Sequence, residues 1–466
     1  MQIMSIKFYN TLTKRKDEFQ PITEGEVKLY SCGPTVYDTA HIGNFRTFLF
    51  EDLLKRYLLL KGFKVIHVMN LTDVDDKTIL RSNRDNISIP VLTEKYIELF
   101  FKDIRTLKII PADYYPKATE HVAEMINMVK MLLDNGYAYK SDDNSIYFNI
   151  EKFDNYGKLT NLDLAEQKKT QRIISDDYSK DNPQDFVLWK AWKKEDGKVF
   201  WESPWGKGRP GWHIECSAMS KKYLGDSFDI HCGGVDNIFP HHENEIAQSV
   251  CANNKPFVNY WLHSEHLLVD SGKMSKSAGN FYKISELIDE GFTPEALRYL
   301  LLSGHYRTNI NFSVEKKHEA LKVIQRINDL YNKLISFSYE NTGEFPVAYN
   351  SFVKALDDDL NTPAALGIFF DWLRKTNRRL DNNSLSDKDI ISAINFIDNF
   401  NVIFDFHIAE ETSIPSIIKE LADQRQTARI NKDWTKADSI RDQILEMGWI
   451  IEDIPDGFKL KPILER

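Results

Sequence analysis

"VKLYSCGPTVY", Val27 to Tyr37, and the two segments after it decide how the first third of the chain folds. It reads as a buried strand entering a Gly-Pro loop. "NFRTFLFEDLLKRYLLLKG", Asn44 to Gly62, follows with Phe45, Phe48, Leu49, Leu53 and Tyr57 in helical spacing and Gly62 as a stop. "FKVIHVMNLTDVDD", Phe63 to Asp76, is a second strand that ends in polar residues. Strand, helix, strand is a βαβ unit. It predicts a parallel sheet with a ligand crevice at the carboxyl ends of its strands.

The pattern changes near Pro111. From there to Leu224 a helix, "ATEHVAEMINMVKMLLDNG", mixes with hairpin-like segments and tryptophan-rich loops, which reads as an insertion. "DSFDIHCGGVDNIFPHHENEIAQSVC" resumes strand and helix, and "FVNYWLHSEHLLVDSGKMSKSAGN" adds strands and a Gly-containing loop. From about Pro294 to Phe404 the pattern is helical, and "HIAEETSIPS" links it to a short tail. The expected class is α/β: a Rossmann-type parallel-sheet catalytic domain split by an insertion, then a helical bundle and a small α+β C-terminal domain.

At 466 residues the chain predicts two to four domains. No apolar run approaches the roughly 18 residues of a membrane span, so no membrane partner is expected. The opening "MQIMSIKFYN" lacks the features of a signal peptide, and a cytoplasmic protein is expected. Four cysteines (Cys32, Cys216, Cys232 and Cys251) make no disulfide framework and leave thiol or metal chemistry as their use. A net charge of −9 argues against indiscriminate nucleic-acid binding but permits a local basic face.

Three stretches carry candidate chemistry. In "TAHIGNFRTF", Asn44 is expected to cap the following helix, with His41 and Gly43 just before it. A helix N-terminus offers free N–H groups to an anion, and glycine lets the backbone approach it. In "DSGKMSKSAGN", Lys273 and Lys276 stand three apart among serines and glycines, as a clamp for a triphosphate would require. "FPHHENEIAQ", from Phe239, sets two histidines and two glutamates within five residues, either as a metal site or as the polar first turn of a helix. His241 and Glu245 share a helix face, and His242 with Glu245 is also allowed by spacing. Glu243 falls on another face, solvated or supporting a ligand. Zinc would draw on thiolates as well, and Cys32 at the end of the first strand and Cys216 in "WHIECSAM" are available. Cys232 and Cys251 read as packing cysteines.

"HIGN" and "KMSKS", in this order and separation, resemble the paired nucleotide motifs of the class I aminoacyl-tRNA synthetases, with Asn44 where the family motif has its second histidine. The blocks "CGPTVYDTAHIGNFRTF", "NLTDVDDKTI", "GRPGWHIECSAMS", "DIHCGGVDNIFPHHENEIAQS", "RYLLLSGHYRTNINFS" and "LDDDLNTPAAL" are similar to those of the cysteinyl branch across nearly the whole chain. The resemblance implies one zinc ion per chain on Cys32, Cys216, His241 and Glu245, selecting the thiolate of L-cysteine over serine. It implies ATP with Mg²⁺ as substrate, bound by His41, Gly43, Asn44, Gly234, Asp236, Lys273 and Lys276. Of these, His41, Asn44, Lys273 and Lys276 would stabilise charge on the phosphates. Cys32, Thr72 and Trp212 would form the cysteine pocket. A third thiolate at the metal needs nearby positive potential, for which His213 or a helix N-terminus is the candidate.

The implied reaction is formation of cysteinyl-adenylate and transfer of cysteine to the 3′ end of tRNA(Cys) by a monomeric enzyme. The implied domains are catalytic halves at 1–110 and 225–265, a connective insertion with zinc and substrate residues at 111–224, and a KMSKS and stem-contact region at 266–315. A tRNA-binding bundle at 316–410 and an anticodon-binding domain at 411–466 complete them. In that last domain Arg425, Arg429, Lys432 and Lys436 recur at four, three and four residues and would align on one face of a continuous helix. Ile430, Trp434, Ala437 and Ile444 would form its packed stripe, and "WIIEDIPDGFKLK" a hairpin. Two alternatives share these motifs: a cysteine:amino-sugar ligase of the mycothiol type, and an inactive paralogue that binds zinc or tRNA.

Overall fold

Val27, Leu29 and Tyr30 are fully buried, and they lie on strand β1 (Glu26–Ser31). The structure is a computed structural model that describes residues 5–160, 185–270, 272–273, 281–337, 343–406, 416–431, 433–454 and 457–462. The chain divides into two units, Met1–His407 and Ile408–Arg466.

In the first unit β1 leads through helix α1 (Ile42–Leu60) to β2 (Lys64–Met69), which pairs parallel to β1. Helix α2 (Trp212–Leu224) then precedes β3 (Phe228–Gly234), and helix α3 (Glu243–Asn253) joins β3 to β4 (Val258–Ser264). The strand order is β4-β3-β1-β2 and every pairing is parallel. β1 is therefore flanked by β2, reached directly through α1, and by β3, reached only after the insertion. The chain reverses its direction of winding between β1 and β3, where such sheets open a crevice at their carboxyl ends. Cys32 follows β1 and Gly234 ends β3, so both border that crevice.

Between β2 and β3 lie helices including Ile89–Thr106 and Val122–Asp134, and an antiparallel sheet of Ala138–Lys140, Ile146–Phe148, Phe186–Ala191 and Gly208–Pro210. After β4, strands Leu267–Val269, Gly272–Lys273 and Ile310–Phe312 form a three-stranded sheet. Helices Lys317–Ile335, Val347–Asp357, Thr362–Asp381 and Asp387–Phe404 complete the unit. One apolar core runs from Ile6 and Val27 through α1 to Phe369, Phe400 and Phe406.

The second unit holds helices Ser416–Ile430 and Trp434–Glu446 and an antiparallel pair, Trp449–Ile454 with Gly457–Pro462. Its core is Ile418, Ala422, Ile440, Ile444, Trp449 and Ile451. The expected continuous helix through Lys436 is broken: Asp433 caps a new one, its carboxylate accepting from Lys436 N at 3.2 Å. The basic stripe is broken with it. Arg425 is buried at 4% exposure, whereas Lys436 is exposed, and Lys432 lies outside the described residues. Ile430 and Trp434 are 73% and 58% exposed, so the packed stripe is Ala437, Ile440 and Ile444 instead.

Candidate metal and nucleotide site

His41, not Asn44, is the N-cap of α1. Its Nδ1 accepts from Gly43 N at 3.1 Å and Asn44 N at 3.3 Å, while Asn44 Oδ1 accepts from His41 N at 3.0 Å. Ile42 N donates to Tyr282 O at 2.9 Å. The first amides of the helix, expected to be free for an anion, are therefore engaged by the chain itself. Sequence reasoning missed this because imidazole Nδ1 seldom serves as a cap, and asparagine three residues on is the better-known one. Gly234 and Asp236 stand across the crevice: a Cβ on Gly234 would meet Asp236 Oδ1 at 2.4 Å, so the carboxylate needs the glycine. The backbone of Lys273 is in the small three-stranded sheet, and Lys276 lies outside the described residues.

At the switch point four elements converge. Cys32 comes from the end of β1, Cys216 from α2, His241 from the wide turn Ile238–His242, and Glu245 from the first turn of α3. One donor atom from each lies within 4.8 Å of the others. All are buried except Cys32, which is partly exposed. Glu245 Oε1 is 3.1 Å from His241 Nε2 and 3.9 Å from His242 Nε2. Neither approach is aligned as a hydrogen bond, and this buried oxygen is left without one.

Two thiols, an imidazole and an unsatisfied carboxylate oxygen suit a zinc-like ion in both donor type and number. The Cys216 thiol is held down to about 6, chiefly by the hydrogen bond from Cys32, whereas burial pushes Cys32 well up. The two thiols are thus unequal, with Cys216 the more readily ionised.

Other side chains surround this cluster. Trp212 is 44% exposed, and its ring stands 4.3 Å from that of His241 at the mouth of the site. His213 Nδ1 lies 2.9 Å from His241 Nδ1. Burial first, and then His241, push the His213 pKa well below the ordinary value, which disfavours the positive charge that made it one of the two candidates for positive potential at the metal. Thr72 is buried: its hydroxyl donates to Glu215 Oε2 at 3.1 Å and accepts from Asn70 Nδ2 at 3.1 Å, and Asn70 Oδ1 accepts from Gly33 N at 3.0 Å. It thereby ties the segment after Cys32 to the residue before Cys216. Glu243 is not solvated. It is fully buried and accepts from Gly157 N at 2.8 Å and Thr160 N at 3.2 Å. Cys232 and Cys251 are buried in apolar clusters.

Two residues escaped sequence reasoning, His231 and His263. His231 on β3 faces Glu245 Oε2 at 2.9 Å, His242 Nδ1 meets His263 Nε2 at 2.7 Å, and His263 Nδ1 meets Thr11 Oγ1 at 2.8 Å. The signal available was a histidine inside each of two otherwise apolar buried strands, "DIHC" and "YWLH".

Comparison with known proteins gives the family. Residues 18–322 match the tRNA synthetases class I (C) catalytic domain, and residues 351–404 match the DALR domain. The chain is 47% identical over 481 residues to the cysteine–tRNA ligase of Chlamydia trachomatis, covering 99% of this chain and 100% of that one. It is 48% identical over 472 residues to that of Brachyspira hyodysenteriae, covering 98% and 99%. Among solved structures it resembles Mycobacterium tuberculosis methionyl-tRNA synthetase in complex with methionyl-adenylate, with a TM-score of 0.59 at 15% identity, covering 81% of this chain and 89% of that one. A putative arginyl-tRNA synthetase from Campylobacter jejuni gives 0.54 at 15%, covering 82% and 93%. The last two establish the fold, the first two the branch: the chain belongs to the cysteine–tRNA ligase family of class I aminoacyl-tRNA synthetases.

Proposed function

We propose that this enzyme activates L-cysteine with ATP to cysteinyl-adenylate and passes cysteine to the 3′ end of tRNA(Cys). The observation that carries the reading is the convergence of Cys32, Cys216, His241 and Glu245 beside the His41-capped end of α1. These four would hold one zinc ion. Bound there, zinc supplies a thiophilic Lewis acid, which distinguishes a thiolate from the weakly coordinating hydroxyl of serine.

The remaining work belongs to the chain. Cysteine is oriented against Trp212, with Thr72 fixing the floor through Glu215 and Asn70. Its carboxylate attacks the α-phosphorus of ATP, and the bond to pyrophosphate breaks. His41 and Asn44 turn their outer polar atoms to the phosphates, while Lys273 and Lys276 close on them with Mg²⁺ as part of the substrate. Gly234 and Asp236 receive the nucleoside. No covalent enzyme intermediate is needed, so the contribution is positioning and electrostatics. The adenylate then passes cysteine to the terminal ribose of the tRNA.

The exposed Trp434 can stack on an unpaired base, and Lys436 can meet backbone phosphate, which fits anticodon binding by residues 411–466. We assign the catalytic halves to 1–110 and 225–265, the insertion to 111–224, the KMSKS region to 266–315 and the bundle to 316–410, in a cytoplasmic monomer. Among the described residues no helix is long and apolar enough to cross a membrane.

The test is transfer of radiolabelled cysteine, alongside serine, to total tRNA with ATP. Charging with cysteine and not serine is expected. Cysteine-dependent ATP–pyrophosphate exchange without charging would instead favour an amino-sugar acceptor. Neither reaction in folded, zinc-loaded protein would leave a binding protein.

A further inference from the structure

The four proposed ligands are not the only set in the crevice with the right atoms. Cys32, His231, His242 and Glu245 also bring one donor atom each within 4.8 Å of one another, and the two sets share Cys32 and Glu245. His242 Nε2 is 3.2 Å from Cys32 Sγ and 3.9 Å from Glu245 Oε1, and His231 Nε2 is 2.9 Å from Glu245 Oε2. Zinc bond lengths of about 2.0–2.3 Å at tetrahedral angles place neighbouring ligand atoms roughly 3.3–3.6 Å apart, and these three contacts lie on either side of that spacing, the two to Glu245 being made to its different oxygens.

Both imidazoles are oriented as ligands are. A metal-bound histidine usually gives its outer nitrogen to a carbonyl or other polar partner, which fixes the ring. His231 Nδ1 lies 3.2 Å from the carbonyl of Cys232, a partner for the outer nitrogen. His231 Nε2 faces a carboxylate oxygen of Glu245 2.9 Å away. His242 gives its outer nitrogen to His263, which in turn meets Thr11. Its ring also lies against Gly233, where a Cβ would stand 2.8 Å from His242 Cε1. The end of β3 is cut away to seat this ring.

Resting on the reading of this crevice as a zinc centre, we propose that Cys32, His231, His242 and Glu245 form a second position for the same ion. Because two ligands are common to both sets, a single ion occupies one position or the other. The second position retains the metal when Cys216 or His241 is lost or exchanged for another donor.

The experiment uses the full chain stripped of metal and reloaded with Co²⁺, whose thiolate charge-transfer and ligand-field bands report donors and geometry. Wild type should bind one equivalent with two thiolates. Cys216→Ser should still bind one equivalent in a tetrahedral field with the charge-transfer intensity about halved, since one of the two thiolates is gone. Adding His242→Ala to Cys216→Ser should then weaken Co²⁺ by roughly tenfold or more, and by a larger factor than the same change does in wild type. His241→Gln provides a parallel background should Cys216→Ser fail to fold, and Gly233→Ala displaces the His242 ring without removing it.

Release of Co²⁺ from Cys216→Ser as complete as from Cys32→Ser would overturn the proposal. So would an identical His242→Ala effect in both backgrounds, which would leave a proton bridging His231 and Glu245, or two equivalents in wild type. Failure of wild type to bind any Co²⁺ would instead sink the zinc reading itself, whereas cysteine charging tests that reading by a separate readout.

Discussion

Cys32 carries more than any other candidate residue of the site, since it follows β1 directly, belongs to both candidate ligand sets and is the one partly exposed member of each. Replacing its sulfur with a hydroxyl removes the soft donor but leaves α1, the His41 cap and the nucleotide side of the crevice intact. Cys32→Ser should therefore abolish measurable cysteine binding by isothermal titration while ATP binding stays close to wild type. Equal loss of both in folded protein would remove the direct-ligand role. How far this site was legible in the sequence differs from residue to residue. The four candidate ligands could be named in advance because family motifs and helix spacing both bear on them, and the fold brings their donor atoms together. Which of His241 and His242 faces Glu245 was not readable from spacing. The wide turn Ile238–His242 brings both Nε2 atoms near Glu245 Oε1, at 3.1 and 3.9 Å, and no residue count anticipates such a turn. The charge state of His213 was equally hidden, because it depends on burial against His241 rather than on residue type.

Helices show the same division. The span of α1 follows from its apolar spacing, but that spacing conceals how much polar chemistry the helix buries. Glu51, Asp52, Lys55 and Arg56 are all inside, because Val402 and Asp405 meet Arg56, Arg298 meets Asp52, and the segment at Pro111 and Asp113 meets Lys55 on faces that a surface helix would leave to water. The helix Ile89–Thr106 has a related feature. Asp103 is buried, and burial alone raises its pKa to about 6, with Lys102 only partly opposing it. A carboxyl raised in the fold favours the protonated form. Its contribution is therefore fully present below about pH 4 and is lost as pH rises toward 6, a change of up to about 3 kcal/mol for two pKa units. Asp103→Asn, which cannot ionise, should gain stability over wild type progressively between pH 4 and pH 7, with a flat difference above that. Urea unfolding at several pH values measures it, and a gain independent of pH would show that Asp103 is not ionising inside the fold. In the C-terminal tail the sequence misled for a physical reason. Basic residues at helical spacing align only if the helix runs on, and "NKDW" is a stop followed by an aspartate cap.

At the scale of the molecule, the first unit is one cooperative body. Asp52 on α1 pairs with Arg298 at 2.8 Å, both fully buried, and with Arg56 at 2.9 Å. Arg298 also donates to the carbonyls of Phe404 and Leu107, at 2.8 and 2.9 Å, so the catalytic helix, the bundle and the turn after Thr106 meet at one charge cluster. Breaking such a cluster from one side leaves a buried charge unpaired, which costs about 3–5 kcal/mol. The catalytic crevice and the bundle therefore stand or fall together. The second unit has a core of its own, Ile418, Ala422, Ile440, Ile444, Trp449 and Ile451. No ligand proposed for cysteine, zinc or ATP lies beyond residue 407. Ending the chain at His407 should consequently leave cysteine-dependent ATP–pyrophosphate exchange and Co²⁺ binding unchanged. Charging of tRNA(Cys) should fall steeply through KM, because the proposed anticodon contacts are removed while the proposed reacting groups are not. Exchange lost together with charging, in a truncated protein that still unfolds cooperatively, would mean that the tail shapes the catalytic site. Charging retained at the wild-type KM would mean that the first unit alone reads the tRNA.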